Sequence, residues 1–347
     1  MERSAVIERP PATMFALLNS YRNFAEWSPW SDRDPDAVYQ RSGPESGPGA
    51  RLSWSGDPRL VGTGWQEIVE SRPVSLVRMQ LDFEQQGSAT SYFQLEPVVE
   101  GTRVTWGFDT DLVEGQGWMG GLLARYFGLF FDTWIGTDYE QGLASLKQYA
   151  ESLPPADFSD LDAELVEAEA VDILYVVTGA GFDSPDITAS LASAYREIAA
   201  YMTARGIQRS AQPMAITRVR PDGGYEVAAA IPIRLPPQGL PAAGATPAAD
   251  AAPATGTAPD LQEPGSESGA QPGRVQTGQS PAGRAVRVVH RGPYERMGPT
   301  YEKLAAWMAA HGLDEGDVSW EQYISDPGET PTEQLVTHIY FRISSDG

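Results

Sequence analysis

The chain contains no cysteine and only three histidines in its 347 residues. The absence of cysteine excludes disulfide bonds, thiolate nucleophiles, cysteine-ligated zinc and iron–sulfur clusters. His290, His311 and His338 are too few for a histidine-rich metal site. We therefore expect neither a metal nor another cofactor.

Positive charge is also scarce, because 25 Lys and Arg stand against 47 Asp and Glu and give a formal net charge of −22. Nucleic acids and anionic membrane surfaces are bound by clustered Lys and Arg, so neither partner is expected. No apolar run reaches the roughly 18 residues of a membrane span. Met1–Ser4 has no charged-then-apolar signal pattern, so we expect a cytoplasmic protein. A membrane-anchored or exported form stays open, for the case that a short leader or anchor was trimmed from a longer natural chain.

Two stretches lack the residues that build a core. The segment 236–283 is rich in Pro, Ala and Gly and has no aromatic residue, which predicts a disordered insertion. The segment 152–169 has many carboxylates and neither Lys nor Arg, which predicts an acidic linker. The remaining chain then comprises a first domain over 1–151 and a second domain over 170–235 and 284–347.

Residues 1–151 show the alternation of an antiparallel sheet. Met79, Leu81 and Phe83 alternate with polar residues, and Trp106 alternates in phase with Val104 and Phe108. A short helix is predicted over 11–18 and a longer helix over 132–150. A curved sheet around a long helix leaves a cavity for apolar ligands, and Trp106 faces that cavity or the core.

The second domain contains an internal repeat at an offset of 106 residues. Tyr195–Ile207 aligns with Tyr301–Leu313, and each predicted amphipathic helix ends at a glycine, Gly206 or Gly312. Each helix follows a predicted strand and precedes two more strands. The pattern predicts a duplicated β-α-β-β unit with the insertion between its two copies.

The first domain resembles the SRPBCC superfamily, the START-like helix-grip proteins of polyketide cyclase/dehydrase type. The residues that carry the resemblance are Ile7–Phe15, Phe24–Trp30, Val61–Gly64 and Gly101–Trp106. The resemblance implies an α+β helix-grip fold, with an antiparallel sheet, a long C-terminal helix and a hydrophobic cavity. It implies little about activity.

The duplicated unit resembles the gyrase-inhibitor-like (GyrI-like) small-molecule-binding domain, which also forms the effector-binding part of some AraC- and MerR-type regulators. Four segments carry the resemblance: Gly292–Tyr294, Tyr301–Gly312, Trp320–Pro327 and Thr337–Tyr340. In that family a glutamate on the strand after the second helix often lies in the ligand pocket, and Glu321 matches it by motif position. The chain has no helix-turn-helix or basic recognition helix, so the regulator form is not supported.

Six residues are candidates for ligand binding: Glu321, Tyr323, Trp320, Tyr340, Tyr294 and Trp106. A carboxylate between aromatic residues suits a cation, whereas an exposed strand glutamate and ordinary core aromatics are the structural alternatives. His338 shares a strand face with Tyr340 and is either a general base or a structural histidine.

The favoured hypothesis is non-enzymatic binding of small hydrophobic or cationic aromatic molecules, for sequestration or sensing, with Glu321 as the pocket carboxylate. Whether the protein is an enzyme stays open at this point. The alternative is a hydrolase or cyclase/dehydratase acting on a hydrophobic small molecule, with Glu321 as general base. A third hypothesis is an interaction module whose acidic surface recruits a basic partner. The sequence leaves the oligomeric state undetermined.

Overall fold

The protein divides into two units of α+β structure. The computed structural model describes residues 1–83, 88–109, 138–178, 187–234 and 274–344. By their internal contacts, Met1–Leu161 and Gly298–Asp314 form the first unit, whereas Asp162–Met297 and Glu315–Asp346 form the second. Large antiparallel sheets with few helices confirm the predicted fold class.

The first unit is built on a seven-stranded antiparallel sheet. Its elements are β1 (Glu2–Ile7), α1 (Pro11–Leu18), α2 (Phe24–Trp27), α3 (Pro29–Arg33), β2 (Val38–Ser42), β3 (Arg51–Ser55), β4 (Thr63–Arg72), β5 (Leu76–Asp82), β6 (Ser88–Val98), β7 (Gly101–Asp109) and α4 (138–152). The sheet order is β1-β7-β6-β5-β4-β3-β2. Only the β1–β7 pairing joins strands that are distant in sequence, so the rest of the sheet is a meander.

Both predicted helices of this unit are present in the described residues. Pro11 at the start of α1 has no N–H group, so it leaves no unsatisfied donor in the first turn of the helix. Its fixed φ angle also suits this position. The apolar face predicted for α4 is buried, since Tyr139, Leu143 and Leu146 are at most 3% exposed. Each such side chain contributes roughly 1.5–3 kcal/mol by burial. Residues 132–137 of the predicted helix lie outside the described residues.

The second unit is built on a nine-stranded antiparallel sheet. Its elements are β8 (Ala163–Ala168), β9 (Asp172–Val177), α5 (Ile187–Arg205), β10 (Gln208–Arg209), β11 (Met214–Val219), β12 (Tyr225–Arg234), β13 (Gln276–Gln279), β14 (Gly283–Arg291), β15 (Glu315–Tyr323) and β16 (Val336–Ile343). The order is β13-β9-β12-β11-β15-β16-β14-β8, with β10 paired to β12. The strand that precedes each repeat, β8 or β13, pairs with the first strand of the other repeat, β14 or β9.

Two short connections between strands force this sheet to curve. Residues 169–171 join β8, at one end of the sheet, to β9, next to the other end. In a flat sheet these strands would lie six spacings of about 4.8 Å apart, roughly 29 Å, whereas the connection reaches about 15 Å at most. The second connection, between β13 and β14, bonds to the first: the Ser280 N–H donates to the Val171 carbonyl at 2.9 Å. The sheet must therefore curl.

The curl gives the second sheet two different faces. The inner face carries Ile173, Ile216 and Trp320 in one buried cluster with Val166 of β8. The helix face carries Leu174 and Ala229, which are among the residues packed with α5.

Two sequence predictions require correction. Residues 163–168, expected in a linker, form β8, because Val166 and Ala168 pack on the inner face while Arg287 pairs with Glu164. Residues 276–279, expected in the disordered insertion, form β13 by backbone pairing with β9. Residues 236–273 of that insertion lie outside the described residues.

One helix of the second repeat belongs to the first unit. Helix α6 (Gly298–Ala310) packs on α1, with Ala306 and Ala310 buried beside Ala16. The buried Asn23 amide donates to the carbonyl of Ala310 at 3.2 Å and so caps the C-terminus of the helix.

Gly312 ends this helix at a φ of +63°, where a side chain would also collide with Asn23. Glycine is therefore required at this position.

Candidate functional site

Glu321 stands near the centre of the second sheet, on its helix face. It lies on β15 and is half-buried. Tyr323, two residues further along the strand, projects from the same face. Its hydroxyl donates a hydrogen bond to Oε2 of Glu321 at 2.8 Å. This hydrogen bond holds one oxygen of the Glu321 carboxylate beside the hydroxyl group of the Tyr323 ring.

Two further tyrosines complete what we call the Glu321 cluster, which consists of Glu321, Tyr323, Tyr294 and Tyr195. The rings of Tyr294 and Tyr323 meet edge to face, with centroids 5.4 Å apart. Tyr195 of α5 meets Tyr323 in the same manner at 6.4 Å. Its hydroxyl donates to the Met214 carbonyl at 2.7 Å, which anchors the ring over the start of β11.

Burial and negative charge keep the rings of Tyr195 and Tyr294 neutral. Burial raises the pKa of Tyr195 well above its ordinary value, and the Glu321 carboxylate raises it further. The pKa of Tyr294 is raised by the same two causes, with Asp326 adding a smaller contribution. The cluster therefore presents a carboxylate and neutral aromatic rings, both of which attract an organic cation.

Tyr195 was not among the residues predicted for the site. It lies on the first repeat, far from Glu321 in sequence, and reaches the cluster from α5. Its place there depends on how α5 packs on the sheet, which the local sequence pattern does not predict.

Trp320 and Tyr340 are not brought to the Glu321 cluster. Adjacent residues of a strand point to opposite faces, so Trp320 lies on the inner face while Glu321 lies on the helix face. Tyr340 stacks on Trp320 with centroids 4.8 Å apart and planes inclined by 4°. The predicted single set of pocket residues therefore divides between two faces of the sheet.

His338 shares the inner face with Tyr340, and their ring centroids are 6.3 Å apart. Burial lowers the pKa of His338, and the nearby Arg287 lowers it further. His338 is partly exposed on the inner face, and the sheet separates it from the Glu321 carboxylate.

Trp106 lies in the first unit, inside a buried aromatic cluster. Its ring stacks on Tyr139 at 4.0 Å, and its indole N–H donates to the Ser91 hydroxyl at 2.9 Å. The cavity beside it has a volume of about 20 Å³, which is room for a water molecule. Tyr21 and Trp27 also line this cavity, and within the described residues the Tyr21 hydroxyl and the Trp27 indole N–H have no hydrogen-bond partner.

Neither a metal site nor a membrane span is found in the parts of the chain that the structure describes. No group of three or more His, Asp or Glu in these parts is placed to hold a metal ion. None of the described helices is long and apolar enough to cross a membrane.

Comparison with protein families now decides the identity of both domains. Residues 1–151 match the model described as polyketide cyclase / dehydrase and lipid transport. Residues 245–344 match the model described as GyrI-like small molecule binding domain. The chain joins these two domains. Both matches support small-molecule binding in general, and the GyrI-like match includes the second repeat, which contains Glu321.

Comparison with individual proteins carries no further argument about this chain. No curated protein sequence matches the chain. The EcmrR C-terminal domain is 17% identical over 53% of this chain and 98% of its own, with a TM-score of 0.37. A hydrolase encoded by lin2189 from Listeria innocua is 13% identical over 52% of this chain and 91% of its own, with a TM-score of 0.33. These similarities are too low to transfer a ligand or an activity.

Proposed function

We propose that the protein binds small, apolar aromatic cations without converting them, for sequestration or sensing, and that Glu321 is the carboxylate of the site. The observation that carries this proposal is the hydrogen bond of 2.8 Å from Tyr323 to Glu321, with the rings of Tyr294 and Tyr195 against Tyr323. A cation beside Glu321 meets opposite charge and aromatic surface together.

The chemistry of the cluster favours a soft organic cation over a metal ion. A metal ion needs several oxygen ligands, whereas the Glu321 cluster consists of one carboxylate and three tyrosines. A delocalised or quaternary cation loses less hydration on burial and gains from the aromatic rings. The net charge of −22 further raises the local concentration of cations around the protein.

The test compares two ions of nearly the same shape and opposite charge, tetraphenylphosphonium and tetraphenylborate. Titration calorimetry on the full chain should show binding of the cation and little binding of the anion. Glu321→Gln should weaken cation binding about tenfold or more, which corresponds to roughly 1.4 kcal/mol. The control is Asp317→Asn, which removes one exposed carboxylate from the same strand and should change the affinity less than about twofold.

Equal binding of both ions, with no effect of Glu321→Gln, would refute the proposal. The same variant tests the alternative function, a hydrolase with Glu321 as general base. Turnover of an ester or strained ring by the wild type, abolished in Glu321→Gln while cation binding persists, would favour the enzyme.

Two expectations from composition remain predictions. The scarcity of Lys and Arg disfavours nucleic-acid binding, and titration with duplex DNA at low salt tests it. The cytoplasmic location is tested by fractionation of cells that express the full-length protein.

A further inference from the structure

Ala215 occupies, in the first repeat, the position that Glu321 occupies in the second. The two repeat helices end at Gly206 and Gly312, which adopt nearly the same φ, +64° and +63°. Ala215 follows the first glycine by nine residues, and Glu321 follows the second by nine. The offset of 106 residues that aligns the helices therefore also aligns these two strand positions.

The strand register brings the two positions together. Ala215 of β11 lies directly opposite Glu321 of β15. Opposed residues of an antiparallel pair have Cα atoms roughly 4.5–5.5 Å apart and project from the same face. The axis that relates the two repeats thus passes between Ala215 and Glu321, and only one of the two equivalent positions carries a charge.

The neighbouring strands extend this asymmetry. Ala229 pairs with Ala215 on one side, and Ile339 pairs with Glu321 on the other. Ala215 is 5% exposed, and Ala229 and Ile339 are fully buried. Glu321 is therefore the one charged residue in this row of four residues. The side of the row that belongs to the first repeat is apolar and lies next to Tyr195.

From this placement we propose that Ala215 sets the charge selectivity of the site. The cationic centre of a ligand lies at Glu321, and its apolar flank lies toward Ala215 and Tyr195. A second positive charge on that flank would be desolvated and would have no carboxylate to pair with, which is unfavourable. The site therefore prefers singly charged aromatic cations to dications of the same ring system. This inference rests on the proposed function of Glu321.

Ethidium and propidium provide a matched pair of probes, since they share one ring system and propidium carries an additional quaternary ammonium group. Fluorescence titrations of the nucleic-acid-free full chain at about pH 8.5, where opposed carboxylates are better ionised, give both dissociation constants. Wild type should bind ethidium several-fold more tightly than propidium. Ala215→Glu should shift the ratio of the two constants toward propidium by about tenfold, relative to Ala215→Gln.

Ala215→Gln adds the same bulk without charge, so it separates charge from crowding. If Ala215→Glu does not fold, Ala215→Asp takes its place, and the wild-type ratio is itself a test. A wild-type preference for propidium, or equal ratios in the Glu and Gln variants, would overturn the role of Ala215 while leaving that of Glu321 intact. Failure of the wild type to bind either dye, or ethidium binding unaffected by Glu321→Gln, would instead count against the proposed function.

Discussion

Substitution of Tyr323 separates the two contributions that the proposed site combines. Its hydroxyl holds Glu321 at 2.8 Å, and its ring meets Tyr294. A bound cation removes water from the carboxylate, and the hydrogen bond from the tyrosine hydroxyl is then less easily replaced by water. Tyr323→Phe deletes this donor and keeps the ring. Tyr323→Leu deletes both.

The expected magnitudes follow from the geometry. A hydrogen bond to a charged group is worth roughly 1.5–3 kcal/mol, and partial exposure of this pair reduces that to about 1 kcal/mol. Tyr323→Phe should therefore weaken tetraphenylphosphonium binding about fivefold. Loss of the ring should cost about 1 kcal/mol more, so Tyr323→Leu should weaken binding about 25-fold.

Calorimetric titration of the three proteins measures these differences, and thermal unfolding verifies that each variant is folded. Tyr340→Phe, on the opposite face of the sheet, is the control and should bind as the wild type does. Two results would refute the reasoning. Tighter binding by Tyr323→Phe would show that the hydroxyl competes with the ligand, and equal binding by the Phe and Leu variants would show that the ring does not contact it.

Three further predictions concern the first unit. Ser91→Ala leaves the buried Trp106 indole N–H unpaired and should lower the free energy of unfolding by about 1–3 kcal/mol in chemical denaturation; a negligible change would show that water replaces the hydroxyl. Asn23→Asp places a carboxylate at the carbonyls that end α6 and should destabilise more than Asn23→Ala, by roughly 1 kcal/mol; the reverse order of melting temperatures would contradict the assigned cap. Burial lowers the pKa of His311, so the unfolded state takes up its proton more readily and the stability due to neutral His311 is lost as pH falls below about 6.5. The melting temperature of wild type relative to His311→Gln should thus decrease between about pH 8 and pH 5, and a constant difference would contradict it.

The parts of the fold that local patterns predict are those with a strong period or a strong stop signal. Helix α1 begins at Pro11, and the repeat helices are followed by Gly206 and Gly312, as the sequence indicates. The strands of the first sheet follow from alternation, since most of them pair with a neighbour in sequence.

The strands β8 and β13 were missed because their pairing is not local. The sequence of β13, Gln276–Gln279, contains no large apolar residue, and its strand conformation comes from hydrogen bonds to β9 of the other repeat. In β8, the apolar positions Val166 and Ala168 alternate with carboxylates. The acidic composition of this segment therefore indicated a linker rather than a short strand. The pairing of β8 with β14 and of β13 with β9 explains why both segments are extended.

The candidate site was predicted in part. Glu321 and Tyr323 lie two residues apart and share a face, as alternation requires. The same rule places Trp320 on the other face of the sheet. The prediction nevertheless grouped Trp320 with Glu321, because the two residues are adjacent in the family motif. Tyr195 could not be predicted from the sequence pattern, because its contact with Tyr323 depends on how α5 packs on the sheet.

The most direct test of the account is an experimental structure of the full chain with tetraphenylphosphonium bound. The account predicts the phosphonium centre beside the Glu321 carboxylate, with its phenyl groups within about 6 Å of the rings of Tyr323 and Tyr294. The cation bound instead in the cavity beside Trp106, with the Glu321 cluster unchanged, would contradict the central claim.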